Sequence, residues 1–164
     1  MQRIRLYLET SIWGFYHDES VVNQEKREAV RMLFDQIRDG LFVPVISPVV
    51  FREIQRSDEP YRSRDLALMR SLRPEVLTVD GEELEKLVDL YIQARVLARR
   101  HLTDLLHAGH MAMTHTHILV TYNCRHLANY TVLQKLKSVN RLHGYRWDFE
   151  VLTPAEVVCY EQDG

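Results

Sequence analysis

The chain has 164 residues, of which 46% are hydrophobic and 27% are charged, and its formal net charge is -2. These values exclude a disordered chain, and two cysteines, Cys124 and Cys159, are too few for a disulfide scaffold and indicate a reducing compartment. The longest nearly apolar run, residues 41–51, is shorter than the roughly 18 residues that span a bilayer. We therefore expect one cytoplasmic domain over residues 1–164, with neither a transmembrane helix nor a signal peptide.

Short apolar stretches alternate with helical patterns along the chain. The strands are predicted, in order, at residues 4–9, 42–46, 76–79, 118–121 and 150–152. Helices are predicted to begin near Thr10, Gln24, Ser47, Tyr61, Asp80, Thr103, Thr131 and Thr153, and the Asp80 helix is expected to continue to Ala98. This alternation predicts an α/β fold, a three-layer α/β/α domain with a central, mainly parallel sheet of four to five strands.

Charge is unevenly distributed along the sequence. Residues 91–147 contain eight basic side chains against one acid, Asp104, a balance of +7, whereas residues 1–90 have a balance of -4. The remaining residues, 148–164, contain five acids and no lysine or arginine. A solvated basic face would explain the middle stretch, but so would contact with phosphate groups. The small net charge therefore does not exclude a nucleic-acid ligand.

Polar side chains follow the predicted strands at their carboxyl ends, where open parallel sheets place their ligand crevice. Glu9 ends the first strand, Glu53 lies within two turns of the second, Asp104 opens a helix, and Asn123 ends the fourth strand. Each has a simpler explanation, such as a surface charge for Glu53 or a complement to the helix dipole for Asp104. Carboxylates that converge repel one another unless a cation binds between them, and hard oxygen ligands suit Mg²⁺ or Mn²⁺.

Other chemistries have less support. The six glycines are isolated, so there is neither a dinucleotide-binding fingerprint nor a phosphate-binding loop, and no serine lies in a G-x-S-x-G elbow. Zinc could bind to Asp104, His107 and His110, which are spaced three apart, but the H-E-x-x-H pattern is absent. A neutral His107 packed beside the acids is the other interpretation.

Three aromatic residues, Trp13, Phe15 and Tyr16, follow the first predicted strand closely. Aromatic side chains at such a position could stack on bases or bind a partner. Packing into the core is the alternative interpretation of the same residues.

Four segments of the chain, in order, resemble the acidic motifs of PIN-domain ribonucleases. They are YLETSI (7–12), SPVVFREI (47–54), DLLHA (104–108) and ILVTYNCRHLAN (118–129), and the last of them has the form found in the toxin-like branch of the family. VNRLHGY (139–145) and LTPAE (152–156) resemble the closing segments of that branch. The resemblance therefore covers nearly the whole chain.

The resemblance implies a PIN-like domain that acts as a metal-dependent endoribonuclease, hydrolysing RNA phosphodiester bonds with Mg²⁺ or Mn²⁺ as cofactor. By position, it implies that Glu9, Glu53 and Asp104 are the metal ligands and that Asn123 positions water or a second ion. Ser11 and Thr121 are expected to hydrogen-bond the carboxylates, and capping of the helix after the first strand is the alternative role of Ser11. Contacts with RNA phosphates are expected from the basic residues Arg95, Arg99, Arg100 and Arg125.

The chain departs from the family's pattern at two of these positions. Glu9 stands where the family usually has Asp, and Asn123 stands where many members have a fourth acid. A catalytically degenerate PIN-like domain that binds RNA or a protein partner is therefore the alternative function. The resemblance also implies a homodimer and a small antitoxin protein as partner, so that the chain would be the toxin of a type II toxin–antitoxin pair.

Overall fold

The computed structural model describes residues 2–159 and has a parallel five-stranded sheet at its centre. The strands are β1 (Ile4–Leu8), β2 (Phe42–Ile46), β3 (Glu75–Val76), β4 (Ile118–Val120) and β5 (Glu150–Leu152). They are arranged in the order β3-β2-β1-β4-β5, and every neighbouring pair is parallel. The predicted α/β fold with a mainly parallel sheet is confirmed.

Helices cover both faces of this sheet. They are α1 (Gln24–Arg38), α2 (Pro48–Gln55), α3 (Tyr61–Leu72), α4 (Gly81–Gln93), α5 (Leu102–Thr114), α6 (Tyr130–Leu142) and α7 (Pro154–Val157). The helix α1 packs against α3 and α7, while α4 packs against α5 and α6. From β1 to β3 the chain adds strands toward one edge of the sheet, and from β4 to β5 it adds them toward the other edge. Because connections between parallel strands are right-handed, the helices of these two halves lie on opposite faces of the sheet.

The strand β1 lies in the middle of the sheet and is buried on both faces. Leu6, Tyr7 and Leu8 are each 0% exposed. Such a continuous buried run is typical of a central parallel strand, and burying each leucine stabilises the fold by about 1.5–3 kcal/mol. Between α4 and α5 the helices approach closely, because a Cβ atom at Gly109 would lie 2.6 Å from Leu84 Cδ1. Tight packing therefore holds α5, which carries several of the predicted site residues, against its neighbour.

Two predicted boundaries around the segment between α4 and α5 are wrong. The helix α4 ends at Gln93 rather than at Ala98, because Arg95 adopts a positive φ of 55° that turns the chain out of the helix. The helix α5 begins at Leu102, so Thr103 lies inside its first turn and does not cap it. A short 3-10 helix, Arg99–His101, precedes it.

The remaining differences concern the third strand and two caps. The strand β3 has two residues instead of four, because its only partner, β2, ends at Ile46, opposite Val76. The cap after β1 is Glu9 rather than Thr10 or Ser11, and the segment that follows, Thr10–His17, is a 3-10 helix. The helix α6 is capped by Asn129, whose side chain accepts a hydrogen bond from the Val132 N–H, and it begins at Tyr130 rather than at Thr131.

Two further sequence predictions concern the membrane and the termini. None of the helices between residues 2 and 159 is long and apolar enough to cross a membrane. Both cysteines, Cys124 and Cys159, are exposed and unpaired. Of the acids at the end of the chain, Glu161 and Asp163 lie outside the described residues.

Candidate functional site

The predicted site residues lie at the carboxyl edge of the sheet, where β1 and β4 are neighbours and the crossovers leave in opposite directions. Open parallel sheets bind ligands at such a point. Glu9 directly follows β1, and its N–H donates to the carbonyl of Val120 at 3.1 Å. Glu53 comes from α2, which follows β2, and His107 comes from α5. The fold therefore brings three segments of the chain, far apart in sequence, to one crevice.

The Glu9 side chain is buried, with 5% of the residue exposed, and it is held through one oxygen. Its Oε2 accepts hydrogen bonds from the Ser11 N–H at 3.0 Å, from the Ser11 hydroxyl, and from the Thr121 hydroxyl at 2.8 Å. No residue between 2 and 159 donates a hydrogen bond to the other oxygen, Oε1. Ser11 and Thr121 therefore contact the carboxylate as predicted, and they leave its second oxygen available to a ligand.

The Glu53 carboxylate is held in the same one-sided way. Its Oε1 accepts hydrogen bonds from the Thr10 hydroxyl at 2.6 Å and from His107 Nε2 at 2.9 Å, while Oε2 has no donor within the described part of the chain. Partial burial raises the pKa of this carboxyl, but the hydrogen bonds from His107 and Thr10 outweigh burial and hold the pKa below its ordinary value of 4.5. Glu53 is therefore ionised at neutral pH.

His107 connects the two carboxylates to the core. Its ring is 0% exposed, and Nε2 lies 3.8 Å from Glu9 Oε1 as well as 2.9 Å from Glu53 Oε1. On the other side of the ring, Nδ1 lies 2.5 Å from the Tyr7 hydroxyl, which is itself 2.6 Å from Ser47 Oγ. Burial raises the pKa of Tyr7 well above its ordinary value, so the phenol keeps its proton and can donate it to Nδ1.

This hydrogen-bond arrangement decides which atoms are free to bind a cation. One ligand atom from each of Glu9, Glu53 and His107 lies within 4.8 Å of the others, which is a spacing that could surround a metal ion. However, an ionised carboxylate can only accept a hydrogen bond, so His107 Nε2 carries the proton that Glu53 accepts. Its lone pair is then unavailable to a metal. The free ligands of this group are the carboxylate oxygens, which suit a hard ion such as Mg²⁺ or Mn²⁺.

Asp104 lies in a neighbouring group with His101 and His126. Its Oδ2 is 3.0 Å from His126 Nδ1, and its Oδ1 accepts a hydrogen bond from Asn123 Nδ2 at 3.0 Å. One ligand atom from each of Asp104, His101 and His126 lies within 4.8 Å of the others. The three carboxylates that were predicted to bind one ion are therefore divided, with Glu9 and Glu53 in one group and Asp104 in the other.

The two groups are connected through the loop after β4. The Thr121 hydroxyl, which donates to Glu9, also accepts the Asn123 N–H at 2.9 Å. The Asn123 carbonyl accepts the His126 N–H at 3.1 Å, while its amide donates to Asp104. Asn123 thus shapes the loop and orients Asp104, and its expected role in positioning water or a second ion stays a prediction.

The predicted RNA-binding arginines fall into two pairs. Arg100 donates from Nε to His101 Nε2 at 3.2 Å. Desolvation and the neighbouring His126 lower the pKa of the His101 ring, and the positive charges of Arg100 and Arg125 lower it further. These two arginines therefore border the Asp104 group. Arg99 instead lies 3.7 Å from Asp89 of α4, and the carbonyl of Arg95 accepts a hydrogen bond from a lysine of α6 at 3.5 Å.

The remaining sequence hypotheses concern aromatic residues and zinc. Trp13 is 0% exposed and packs against Phe34, and Tyr16 stacks on the same ring. Core packing therefore describes both residues better than stacking on bases. His110 donates from Nδ1 to the Leu106 carbonyl at 2.8 Å and belongs to neither group of possible metal ligands. The zinc set that includes His110 is not assembled, whereas His107 does pack beside the acids.

Sequence reasoning missed several contributors to the site. The contribution of His101 could have been predicted from the sequence. His101 lies three residues before Asp104, just as Asp104 lies three residues before His107, and residues spaced in this way share one face of a helix. The contributions of Tyr7, Ser47 and His126 could not have been predicted, because their contacts join positions up to 100 residues apart.

Comparison with known proteins gives no family assignment: no protein-family model matches the chain, and no curated protein does so either. The functional argument therefore depends on the residues and geometry of the two groups.

Proposed function

We propose that the protein is an Mg²⁺- or Mn²⁺-dependent endoribonuclease that hydrolyses RNA phosphodiester bonds. One observation carries the proposal: Glu9 and Glu53 converge at the carboxyl edge of the sheet, and each is held by hydrogen bonds to one oxygen while the other oxygen accepts none from residues 2–159. Neither carboxylate forms an ion pair with a Lys or Arg of that range, so the two repel each other at this spacing, and a bound divalent cation would relieve the repulsion.

The donor set fits such an ion. Glu9 and Glu53 would bind it directly, and Asp104 would contact it through bound water, since Mg²⁺ usually keeps several waters in protein sites. When bound, the ion would lower the pKa of a coordinated water and offset negative charge on the phosphate. The extended reach of Glu at position 9, where relatives of the proposed family usually have Asp, is accommodated because Ser11 and Thr121 hold its Oε2.

The chain itself supplies orientation. Thr10 and His107 fix the direction of the Glu53 carboxylate, and Tyr7 fixes the ring of His107 from the core side. Ligands held in this way do not need to reorganise when substrate arrives, which is the main physical advantage of a preorganised polar site.

RNA as the substrate is supported by the resemblance to PIN-domain ribonucleases and by charge. Arg100 and Arg125 border the group that contains Asp104, where they could contact phosphates on either side of the cleaved bond. A toxin–antitoxin role and a homodimer are proposed on the resemblance alone. The oligomeric state can be measured by light scattering during size-exclusion chromatography.

The test combines cleavage with metal binding. Labelled RNA is incubated with wild-type protein in Mg²⁺, Mn²⁺ or a chelator, and Mn²⁺ binding is measured by calorimetry. We expect cleavage only with the metals, and Glu53→Gln should reduce kcat/KM by about 100-fold or more, because metal stabilisation of the transition state is worth several kcal/mol. Glu85→Gln, at an exposed position in the middle of α4, is the matched control.

Asp104→Asn should reduce cleavage less than Glu53→Gln does, because both Asp104 oxygens already interact with Asn123 and His126. Absence of cleavage and of Mn²⁺ binding in the wild type would contradict the proposal. Tight binding of RNA without cleavage in either metal would instead identify the non-catalytic binding module.

A further inference from the structure

We propose that His101, Asp104 and His126 form a second metal site, selective for Zn²⁺, beside the Glu9 and Glu53 carboxylates. One ligand atom of each of the three side chains lies within 4.8 Å of the others. All three are partly exposed, so the position between them can be reached from solvent. This inference does not depend on the nuclease proposal: the two sites share only Asp104, which would contact the Mg²⁺ ion through water and not directly, and they bind different classes of ion.

The ligand chemistry distinguishes this group from the Glu9 group. Two imidazoles and one carboxylate make a nitrogen-rich set, which suits Zn²⁺ and other late first-row ions better than Mg²⁺. Three protein ligands with access to solvent are typical of zinc sites that keep an open position for water. The Glu9 group, by contrast, offers free oxygens only, because its one histidine, His107, donates its Nε2 proton to Glu53.

The proton positions leave a lone pair on each histidine. His126 Nδ1 lies 3.0 Å from Asp104 Oδ2, and within residues 2–159 no hydrogen bond engages the other ring nitrogen, Nε2. A neutral ring that carries its proton on Nε2 presents the Nδ1 lone pair beside Asp104 Oδ2, and an ion that binds both atoms would replace the hydrogen bond between them. His101 Nε2 accepts the Arg100 Nε–H at 3.2 Å, so this nitrogen carries a lone pair rather than a proton.

The site also connects two parts of the fold. His101 directly precedes α5, Asp104 lies in the first turn of that helix, and His126 belongs to the loop between β4 and α6. The rings of His101 and His126 already touch, with centroids 3.9 Å apart. Binding of Zn²⁺ would therefore fasten this loop to α5, and an ion that binds only the folded chain raises its thermal stability.

Arg100 weakens Zn²⁺ binding at this site in two ways, so its replacement should strengthen binding. Its guanidinium repels a cation, and its Nε–H occupies the His101 lone pair. A neutral side chain at this position should therefore bind Zn²⁺ more tightly than the wild type does. A surface where zinc binds adventitiously to single histidines would not predict such a gain.

The experiment measures Zn²⁺ binding by calorimetry on the full chain, purified without a histidine tag and stripped with a chelator. We expect about one tightly bound Zn²⁺ per chain, and an excess of Mg²⁺ should not displace it. His101→Gln and His126→Gln should each weaken binding by at least about tenfold, the loss seen even when partners behind the ligands are removed. Arg100→Gln should strengthen it by about two- to fivefold.

Two controls locate the site and check the fold. His143→Gln, at the exposed end of α6, should leave Zn²⁺ binding unchanged, and so should Glu53→Gln, which affects only the other group. Co²⁺ substituted for Zn²⁺ should give a visible absorption band that His126→Gln removes. No binding by the wild type, binding that survives both histidine variants, or binding that disappears in Glu53→Gln would each overturn the proposal.

Discussion

The carboxylates of Glu9 and Glu53 are each oriented through a single oxygen. Short hydroxyl side chains do most of this, with Ser11 and Thr121 on one carboxylate and Thr10 on the other. Such bonds to a charged acceptor are stronger than those between neutral groups, and they direct both carboxylates into the crevice. The direction of each side chain is thus decided by individual hydrogen bonds rather than by its position on a strand or helix.

The Tyr7 hydroxyl supports this arrangement from inside the core. Tyr7→Phe removes the group between Ser47 and His107, so it leaves two buried polar atoms without their partner. We expect a loss of about 1–3 kcal/mol in the free energy of unfolding, measured in urea. The control is Tyr61→Phe on the exposed start of α3, which should change stability by less than about 0.5 kcal/mol, as ordinary surface substitutions do. Equal losses in the two variants would contradict the role of the hydroxyl.

Asp65 on α3 gives the protein a predictable dependence on pH. Burial raises the pKa of its carboxyl to about 6, and Arg64 only partly offsets the increase. The folded chain therefore favours the protonated form of Asp65. The resulting stabilisation of the fold is complete at pH values below the ordinary pKa of 3.8 and is lost as the pH rises through about 6.

Asp65→Asn removes this titration. We expect the variant to be more stable than the wild type at pH 7 by on the order of 1 kcal/mol, with the difference shrinking as the pH falls toward 4. Thermal melts across this range test it, and Asp58→Asn, at an exposed position, is the control. A difference that did not change with pH would show that Asp65 is not the responsible group.

At the scale of elements, α5 supplies both groups of the site from one helical face. His101 just before the helix, Asp104 in its first turn and His107 one turn later are each three residues apart, so they follow one another along the same side. Close packing at Gly109 fixes the helix against α4. The helix therefore places Asp104 in one group and His107, one turn later, in the other.

The end of α3 shows how a turn residue limits stability. Arg73 ends this helix with a φ of 50°, in the left-handed region that favours glycine. Arg73→Gly should stabilise the chain by about 0.5–1 kcal/mol, because the strain of the side chain in this conformation is relieved. Arg70→Gly, within the same helix, should destabilise it by about 1 kcal/mol. Urea unfolding measures both, and changes of the same sign would contradict this explanation.

For the whole molecule, the distribution of charge decides how a polyanion could approach. Arg100 and Arg125 lie beside the site, whereas Arg99 and Arg141 pair with acids elsewhere on the surface. The +7 balance of residues 91–147 is therefore not one continuous basic face.

Replacing both Arg100 and Arg125 with Gln should weaken binding of single-stranded RNA and reduce its salt dependence. For each phosphate that is no longer neutralised by an arginine, the slope of log K against log salt should fall by about 0.7. Fluorescence anisotropy at several salt concentrations measures the slope. Arg38→Gln, at a surface pair with Asp35 on α1, should leave it unchanged, and an unaltered slope in the double variant would place the RNA elsewhere.

Local patterns in the sequence are sufficient to specify the fold and to identify the central acids. Apolar strands that alternate with capped helices specify a parallel sheet, and polar residues directly after such strands must lie at its carboxyl edge, which placed Glu9 correctly. These features are local, because period and capping depend on neighbouring residues. The end of α4 at Gln93 was not predicted. The chain turns there through a positive φ at Arg95, and the sequence has no glycine at that position to indicate such a turn.

The grouping of the polar residues depends instead on tertiary contacts. The sequence suggested three carboxylates as one set. In the structure Asp104 instead interacts with His126 and Asn123 from the loop after β4 and groups with His101 and His126, not with Glu9 and Glu53. The Tyr7 hydroxyl, 100 positions away from His107 in sequence, likewise donates to His107 Nδ1 and so leaves the ring proton on Nε2. Such contacts depend on distances of a few ångströms between segments that only folding brings together, and no periodicity in the chain encodes them.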